Sequence, residues 1–254
     1  MVNRTHIFLF DGTRNGHDDE HPTNIRKLWP ALRTGDQVPA YFPGPGNEDE
    51  NGLWGELMGG AFGLGSESIR DKAIDLLDAC YQDGDRIAVF GFSRGAAIAR
   101  TFCAKIAKPV CFLGCFDTVA AFLPRGRMQQ GLFHDLHVSP MVERAAHAVA
   151  LDEDRKAFEP NLMNRREGIN EVWFPGVHSD IGGGFAETGL SDTALYWMIG
   201  EMAEAGIKAK IDLAPNPAAS IGVNDSILGR GPRWVGVMVD GEQSDLAPAY
   251  FGDE

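Results

Sequence analysis

The sequence predicts an α/β fold in which a mostly parallel central sheet is flanked by helices on both faces. Its short apolar runs, such as IAVFGF at 87–92, lack polar alternation, which is typical of strands buried on both faces. Segments with a helical spacing of apolar residues separate these runs, and that alternation is typical of parallel strands. No repeat or linker-like segment interrupts the 254 residues, so we expect a single domain over 1–254.

The predicted elements alternate along the chain. Continuous apolar runs predict strands over 6–10, 38–43, 86–92, 110–117 and 172–177. Apolar residues three and four positions apart predict helices over 24–33, 66–82, 94–107, 141–158 and 190–206. Thr23, Ser66 and Ser191 are the predicted N-caps, and Gly206 is predicted to end the last helix.

Charge and hydropathy exclude several classes of partner. The chain carries 23 Lys and Arg against 36 Asp and Glu, a formal net charge of −13. This charge disfavours nucleic acid and anionic membrane surfaces and leaves neutral substrates open. The longest apolar runs, such as IFLF at 7–10, are too short for a transmembrane anchor. The N-terminus lacks a signal-peptide pattern, so we expect a cytoplasmic protein, with export by a signal-independent route left open. The sequence does not indicate an oligomeric state.

The four cysteines are predicted to be buried, reduced thiols. Cys111 and Cys115 lie about 13 Å apart on one predicted strand, too far for a disulfide. No C-x-x-C pair occurs, which disfavours a zinc or redox site.

Residues 91–95 read Gly-Phe-Ser-Arg-Gly, a G-x-S-x-G pattern. A buried strand precedes the pattern and a helix rich in alanine follows it, which is the context of a nucleophile elbow. On such an elbow the serine lies on a sharp, strained turn with its hydroxyl exposed. We therefore predict that Ser93 is a catalytic nucleophile, the alternative being a tight turn between strand and helix.

Other chemically active residues follow the carboxyl ends of predicted strands, where open parallel sheets bind ligands. His178 directly follows the last predicted strand and lies downstream of Ser93, in the chain order Ser–Asp–His of α/β-hydrolases. Asp117 ends the strand after the elbow helix and is the predicted acid that orients the imidazole. Asp180 and Asp152 are the alternative acids.

Backbone groups beside these side chains are predicted to form an oxyanion hole. The N–H of Arg94 comes directly after the nucleophile, and the loop Asp11-Gly12-Thr13 ends the first strand. We expect the second donor to come from Gly12 or Thr13.

A long Gly-rich segment over 44–65 is predicted to govern access to the site, because loops of this length in compact domains are usually functional. Its apolar side chains are predicted to line an acyl pocket or form a lid, with packing onto the sheet as the alternative. They are Leu53, Trp54, Leu57, Met58, Phe62 and Leu64.

Metal and cofactor chemistry are not predicted. The chain has no Walker A motif, no G-x-G-x-x-G after a strand and no H-E-x-x-H. A metal site could be composed of Asp11, His17, His178 and Asp180, but nothing in their spacing requires a metal. We expect neither a cofactor nor a metal.

Seven segments between about residues 7 and 200 have a recognisable pattern. They are FDGTRN (10–15), TNIRKL (23–28), GDRIAVFGFSRGAAIAR (84–100), FDTV (116–119), HAVALDEDRKAFEP (147–160), VWFPGVHSDIGGGF (172–185) and LSDTALYWMI (190–199). Together they resemble the α/β-hydrolase domain family of type VI secretion phospholipase effectors and related uncharacterised bacterial and fungal proteins. The resemblance implies an α/β-hydrolase fold, a triad of Ser93, Asp117 and His178, and hydrolysis of carboxylic esters, typically phospholipid acyl esters.

These patterns predict a serine esterase or lipase that cleaves a small-molecule or lipid ester through an acyl-enzyme. Two alternatives stay open. One is a metal-dependent phosphoester hydrolase that uses the aspartates at the strand ends, and the other is a non-catalytic binding module on the same fold.

Overall fold

The fold is built on one six-stranded parallel sheet. A computed structural model of the chain describes residues 3–46, 62–120, 136–211 and 213. The strands are β1 (Thr5–Phe10), β2 (Gln37–Phe42), β3 (Arg86–Phe92), β4 (Phe112–Phe116), β5 (Ala145–Ala150) and β6 (Ile169–Phe174). They lie in the order β2-β1-β3-β4-β5-β6, and every neighbouring pair is parallel. The predicted parallel α/β architecture is confirmed.

Helices cover both faces of this sheet. They are α1 (Asn24–Ala31), α2 (Phe62–Cys80), α3 (Arg94–Lys105), α4 (His178–Gly182) and α5 (Gly189–Glu204), with a 3-10 turn over Lys156–Phe158. Apolar residues of α1 and α5 pack with Ile7 and Leu9 on one face, whereas residues of α2 and α3 pack with Phe8 and Phe10 on the other. Successive residues of a strand point to opposite faces, so burial on both faces explains the continuous apolar runs. Among the described helices, none has both the length and the apolar character needed to cross a bilayer.

The helix predicted over 141–158 is wrong. This segment contains β5, which is buried along its whole length and pairs with β4 and β6, and then the short 3-10 turn. A short run such as AAHAVAL has no periodicity that separates a buried helix from a buried strand. Pairing with strands on both sides decided the outcome, and it places His147 on a strand.

The helix boundaries agree with the prediction at some caps and not at others. Thr23 is the N-cap of α1, since its side chain accepts the N–H of Arg26. Gly206 follows α5 with a left-handed φ of 76°, as predicted. Ser66 and Ser191 are not caps, because α2 and α5 begin earlier, and Ser191 Oγ instead donates to a carbonyl one turn back.

All four cysteines carry free thiols, but only Cys103, Cys111 and Cys115 are buried as expected, whereas Cys80 is partly exposed. Burial raises the pKa of Cys103, Cys111 and Cys115. These three thiols therefore stay protonated and poorly reactive near neutral pH.

The strand order creates a crevice at the carboxyl ends of β1 and β3. From β1 the chain passes through α1 to β2, whereas from β3 it passes through α3 to β4 in the opposite direction. Connections that leave two adjacent strands in opposite directions open a crevice, where ligands bind in open α/β sheets. The loop after β1 and the elbow after β3 both lie at this crevice.

Candidate active site

Ser93 occupies a sharp turn between β3 and α3. Its φ of 57° and ψ of −125° lie in a region that costs a non-glycine residue on the order of 1–3 kcal/mol. Ser93 N–H donates to Phe116 O (3.0 Å), and Val119 N–H donates to Ser93 O (3.3 Å). Arg94, a predicted oxyanion-hole residue, is the first residue of α3. The local structure is therefore the strand–turn–helix that the G-x-S-x-G pattern predicts.

The two glycines of the motif allow the backbones of α3, β1 and β3 to approach closely. A Cβ at Gly91 would lie 2.5 Å from Ala96 Cα, and a Cβ at Gly95 would lie 2.2 Å from Phe10 O. Both separations are far inside van der Waals contact, so a larger residue would push α3 away from the strands. Each glycine of the motif thus has a packing requirement of its own.

His178 is the first residue of α4 and is hydrogen-bonded to Asp117 at the end of β4. Its Nδ1 lies 2.6 Å from Asp117 Oδ2, and both side chains are buried. Asp117 Oδ1 accepts the N–H of Ala150 at 2.9 Å, so the carboxylate is held from two sides. With the Nδ1 proton directed at a carboxylate, the imidazole keeps its lone pair on Nε2, as a general base requires.

Aromatic contacts hold the ring of His178. The ring centroid of Phe92 lies 4.7 Å from that of His178, and Phe158 makes an edge-on contact at 4.9 Å. Phe92 immediately precedes Ser93 in the elbow, so the imidazole packs against the element that carries the serine. Ser93, Asp117 and His178 therefore lie at the same edge of the sheet, and their catalytic roles stay predictions.

The alternative acids Asp152 and Asp180 bind backbone groups in the loop before α4. Asp152 Oδ2 accepts the N–H of Gly176 (2.8 Å), and Asp180 Oδ2 accepts the N–H of Val177 (2.9 Å). Burial, and then the charge of Asp152, raises the pKa of Asp180. Of the three candidate acids, Asp117 is the one hydrogen-bonded to the imidazole.

Glu153 is a residue of this region that sequence reasoning did not single out. Its Oε2 accepts the backbone N–H of His178 (3.2 Å). Its carboxylate also pairs with Arg155 (2.6 Å), whose guanidinium lies 3.9 Å from the ring centroid of Phe158. Burial would raise the pKa of Glu153, but the hydrogen bonds from Arg155 and His178 outweigh it and lower that pKa. The sequence feature that could have indicated Glu153 was the charged run DEDR at 152–155, which follows the buried strand β5.

The loop after β1 lies against the elbow. A Cβ at Gly12 would meet the ring of Phe92 at 2.8 Å. Gly12 N–H donates to Asp11 Oδ1 at 2.7 Å, so this N–H is already used inside the loop. Thr13 is left as the better candidate of the two predicted oxyanion donors. Its Oγ1 is buried and has no hydrogen-bond partner among the described residues.

Asp11 is buried in a network of neutral donors at the end of β1. Its carboxylate accepts the hydroxyls of Thr23 (2.8 Å) and Tyr41 (2.7 Å) as well as the N–H of Gly12. Burial raises the pKa of Asp11 to about 6 in spite of these hydrogen bonds. The carboxylate therefore ties the loop after β1 to α1 and β2.

The four residues of the alternative metal site have separate partners. His17 packs against Tyr41, with 4.7 Å between the ring centroids, whereas Asp11, His178 and Asp180 make the contacts described above. In the part of the chain that the structure describes, no group of three His, Cys, Asp or Glu side chains is arranged to hold a metal ion.

Most of the predicted acyl pocket lies outside the described residues. This holds for Leu53, Trp54, Leu57 and Met58 and for the side chains of Phe62 and Leu64 at the start of α2. Their assignment to an acyl pocket or a lid stays a prediction.

Comparison with known proteins gives a family match, a similar yeast protein and similar solved structures, including two with TM-scores above 0.5. A sequence model of the family described as type VI secretion system (T6SS) phospholipase effector Tle1-like, catalytic domain, matches residues 4–108 and 101–201. An uncharacterised protein of Saccharomyces cerevisiae is 33% identical over 114 residues, which are 39% of this chain and 17% of the yeast protein.

The two similar structures share the fold. An uncharacterised protein from Pseudomonas aeruginosa has a TM-score of 0.55 at 19% identity, over 82% of this chain and 47% of that one. The Tle1 effector, in a structure with the VgrG spike of the type 6 secretion system, has a TM-score of 0.53 at 22% identity, over 71% and 51%. The chain spans about half the length of both structures and 17% of the yeast protein. The predicted α/β-hydrolase-like fold is confirmed.

Proposed function

This chain belongs to the family of T6SS Tle1-like phospholipase effector catalytic domains, and from that premise we propose that it is a serine hydrolase of carboxylic esters. One observation carries the proposal. Ser93 lies on a strained elbow, and a buried His178–Asp117 pair with 2.6 Å between Nδ1 and Oδ2 packs against the same elbow. This combination supports the proposal, because nucleophilic acyl transfer needs a serine on such a turn and an imidazole whose tautomer is fixed by a carboxylate.

In the proposed acylation step, Ser93 Oγ attacks the ester carbonyl carbon. His178 Nε2 takes the hydroxyl proton and then gives it to the leaving alkoxide as the C–O bond breaks. Asp117 accepts the Nδ1 proton in a hydrogen bond throughout, which keeps the required tautomer and stabilises the imidazolium. In the second step a water molecule, deprotonated by Nε2, attacks the acyl-enzyme and releases the acid and the free serine.

The oxyanion of each tetrahedral intermediate needs two donors. We assign them to the backbone N–H of Arg94 and to Thr13, through its N–H or its buried hydroxyl. Gly12 is the weaker candidate, because its N–H donates to Asp11. One such donor is worth about 10²–10³-fold in kcat.

The substrate class proposed is a neutral or lipid ester. The family description and the matched Tle1 effector make a phospholipid acyl ester the substrate to compare with simple carboxylic esters. The apolar residues of the segment over 44–65 are the proposed acyl-binding surface. Organisation of residues 1–254 as one domain is likewise part of the proposal.

A fluorophosphonate probe tests the serine mechanism. We expect covalent labelling of the wild type and none of Ser93→Ala, with loss of hydrolysis of p-nitrophenyl esters and phosphatidylcholine. Ser139→Ala is the matched control, because this buried serine lies before β5, at the opposite ends of the strands. An unlabelled wild type whose hydrolase activity disappears with EDTA would favour the metal-dependent alternative, and a wild type inactive on every ester would favour the binding module.

A further inference from the structure

His147 is a second buried histidine that the proposed mechanism does not use. It lies on β5 with its side chain fully buried. Its Nδ1 is 2.8 Å from Glu171 Oε2 on β6. Its Nε2 is 3.0 Å from the backbone N of Thr118, the residue directly after Asp117.

These contacts determine the protonation state of the imidazole. A backbone N–H can only donate, so His147 Nε2 must accept from Thr118 and the ring proton must be on Nδ1. Nδ1–H then donates to Glu171, whose Oε2 is itself fixed by the N–H of Met163 at 2.7 Å. Burial lowers the pKa of His147, which favours the same neutral form.

The turn that carries Asp117 depends on β5. Asp117 has a φ of 38°, a left-handed conformation that is uncommon for residues other than glycine and that aspartate tolerates better than most. Its N–H donates to Ala148 O (2.7 Å), and its Oδ1 accepts the N–H of Ala150 (2.9 Å). The third contact from β5 is the acceptor that His147 offers to the Thr118 peptide. Without this acceptor, the Thr118 N–H directly after Asp117 would lose its hydrogen bond to β5.

We propose that His147, oriented by Glu171, is a positioning residue that holds the Asp117–Thr118 turn and thereby directs the Asp117 carboxylate at His178. The proposal rests on the proposed serine hydrolase function. His147 is fully buried and its ring nitrogens contact Glu171 and Thr118, so in this proposal it acts through the turn that carries Asp117.

Two amide substitutions each replace one of the two imidazole nitrogens. His147→Gln places an oxygen near the Nε2 position and can accept the N–H of Thr118. His147→Asn places an amide N–H near the Nδ1 position, toward Glu171, and leaves the Thr118 N–H without its acceptor. On a p-nitrophenyl ester we expect His147→Asn to lower kcat about 10–100-fold at unchanged KM, and His147→Gln to stay within about threefold of wild type. Equal kcat values for the two variants would overturn the proposal.

A double-mutant cycle tests whether the effect passes through Asp117. If it does, His147→Asn lowers kcat in the wild-type background and adds little in the Asp117→Asn background. Independent, multiplicative losses would contradict the proposal. Failure of the proposed function is distinguishable, because then the fluorophosphonate probe would not label the wild type itself.

An NMR measurement tests the same proposal without an activity assay. The proton of His178 Nδ1 should give a strongly deshielded resonance that is assigned by its loss in His178→Gln. We expect that resonance to shift or broaden in His147→Asn and to persist in His147→Gln. An unchanged resonance in a folded His147→Asn variant would overturn the proposal. Should His147→Asn not fold, Glu171→Leu, which removes the acceptor of Nδ1–H, replaces it with the same expected shift.

Discussion

Two histidine–carboxylate pairs, His178–Asp117 and His147–Glu171, each have a buried imidazole and a similar hydrogen-bond distance, but Asp117 is buried whereas Glu171 is partly exposed. In both, Nδ1 lies within hydrogen-bond distance of a carboxylate, at 2.6 and 2.8 Å. They differ in the other ring nitrogen. His147 Nε2 accepts the N–H of Thr118, whereas His178 Nε2 has no hydrogen bond within the described residues. A histidine–carboxylate pair can act as a general base only if its second nitrogen is free to take a proton, which in the proposed mechanism comes from the Ser93 hydroxyl.

The largest difference in kcat is expected when each histidine in turn is replaced by glutamine. His178→Gln removes the proposed general base and should lower kcat by about 10³-fold or more. His147→Gln keeps the acceptor for Thr118 and should leave kcat within about threefold. Steady-state kinetics on a p-nitrophenyl ester measures kcat for both variants. Similar losses of kcat at both positions would show that the two pairs are not functionally distinct.

Amide substitutions of the two carboxylates, Asp117 and Glu171, compare the two pairs in a second way. Asp117→Asn removes the acceptor that fixes the His178 tautomer and should lower kcat by about 10²–10⁴-fold. Glu171→Gln keeps an oxygen for His147 Nδ1–H and should lower kcat less than tenfold. We expect both variants to be folded by circular dichroism, and a larger loss for Glu171→Gln than for Asp117→Asn would reverse the assignment.

Two threonine hydroxyls, that of Thr13 in the proposed oxyanion hole and that of Thr118 beside His147, provide a smaller test. Thr13→Val removes the unpartnered hydroxyl of the proposed oxyanion hole and should lower kcat about tenfold if Thr13 donates through Oγ1. Thr13→Ser should restore most of that loss. Thr118→Val removes the hydroxyl that lies 3.1 Å from His147 Nε2 but keeps the backbone N–H that this nitrogen accepts, and it should change kcat less than about threefold. A Thr13→Val variant with wild-type kcat would leave the backbone N–H as the donor from this loop.

At Asp11, a buried carboxylate that accepts hydrogen bonds from neutral donors, we expect a modest effect on activity and a larger one on stability. Its pKa in the folded protein, about 6, lies above the ordinary value of 3.8 because of burial. A raised carboxyl pKa adds stability below the lower value, and this stability is lost as the pH rises through the higher one. The shift corresponds to about 3 kcal/mol.

The corresponding measurement is urea unfolding of wild type and Asp11→Asn at several pH values. Between about pH 4 and about pH 6.5, the free energy of unfolding of wild type should fall relative to the variant by up to about 3 kcal/mol. The kcat of the variant should stay within about fivefold of wild type. A difference in stability that does not change with pH would mean that Asp11 titrates normally.

Much of this arrangement could be predicted from local patterns. The run IAVFGF followed by Ser93 and a helix predicted the elbow, because a buried strand and two close-packing glycines leave a local signature. His178 was predicted from its place directly after a strand. The strand β5 could not be predicted, since its pairing partners lie elsewhere in the chain and its short apolar run is ambiguous. For the same reason His147 was assigned to a helix.

The α/β class, the elbow at Ser93 and the family could be predicted from the sequence alone, because they depend on periodicity and on residues that are close along the chain. Only the tertiary structure decided which aspartate contacts His178, since Asp117 lies 61 residues from it, while Asp180 is a near neighbour in sequence that binds backbone. It also decided that Gly12 N–H is used by Asp11 and that His147 supports the turn after Asp117. Hydrogen bonds between distant segments depend on how the strands are ordered in the sheet, and no local pattern specifies that order.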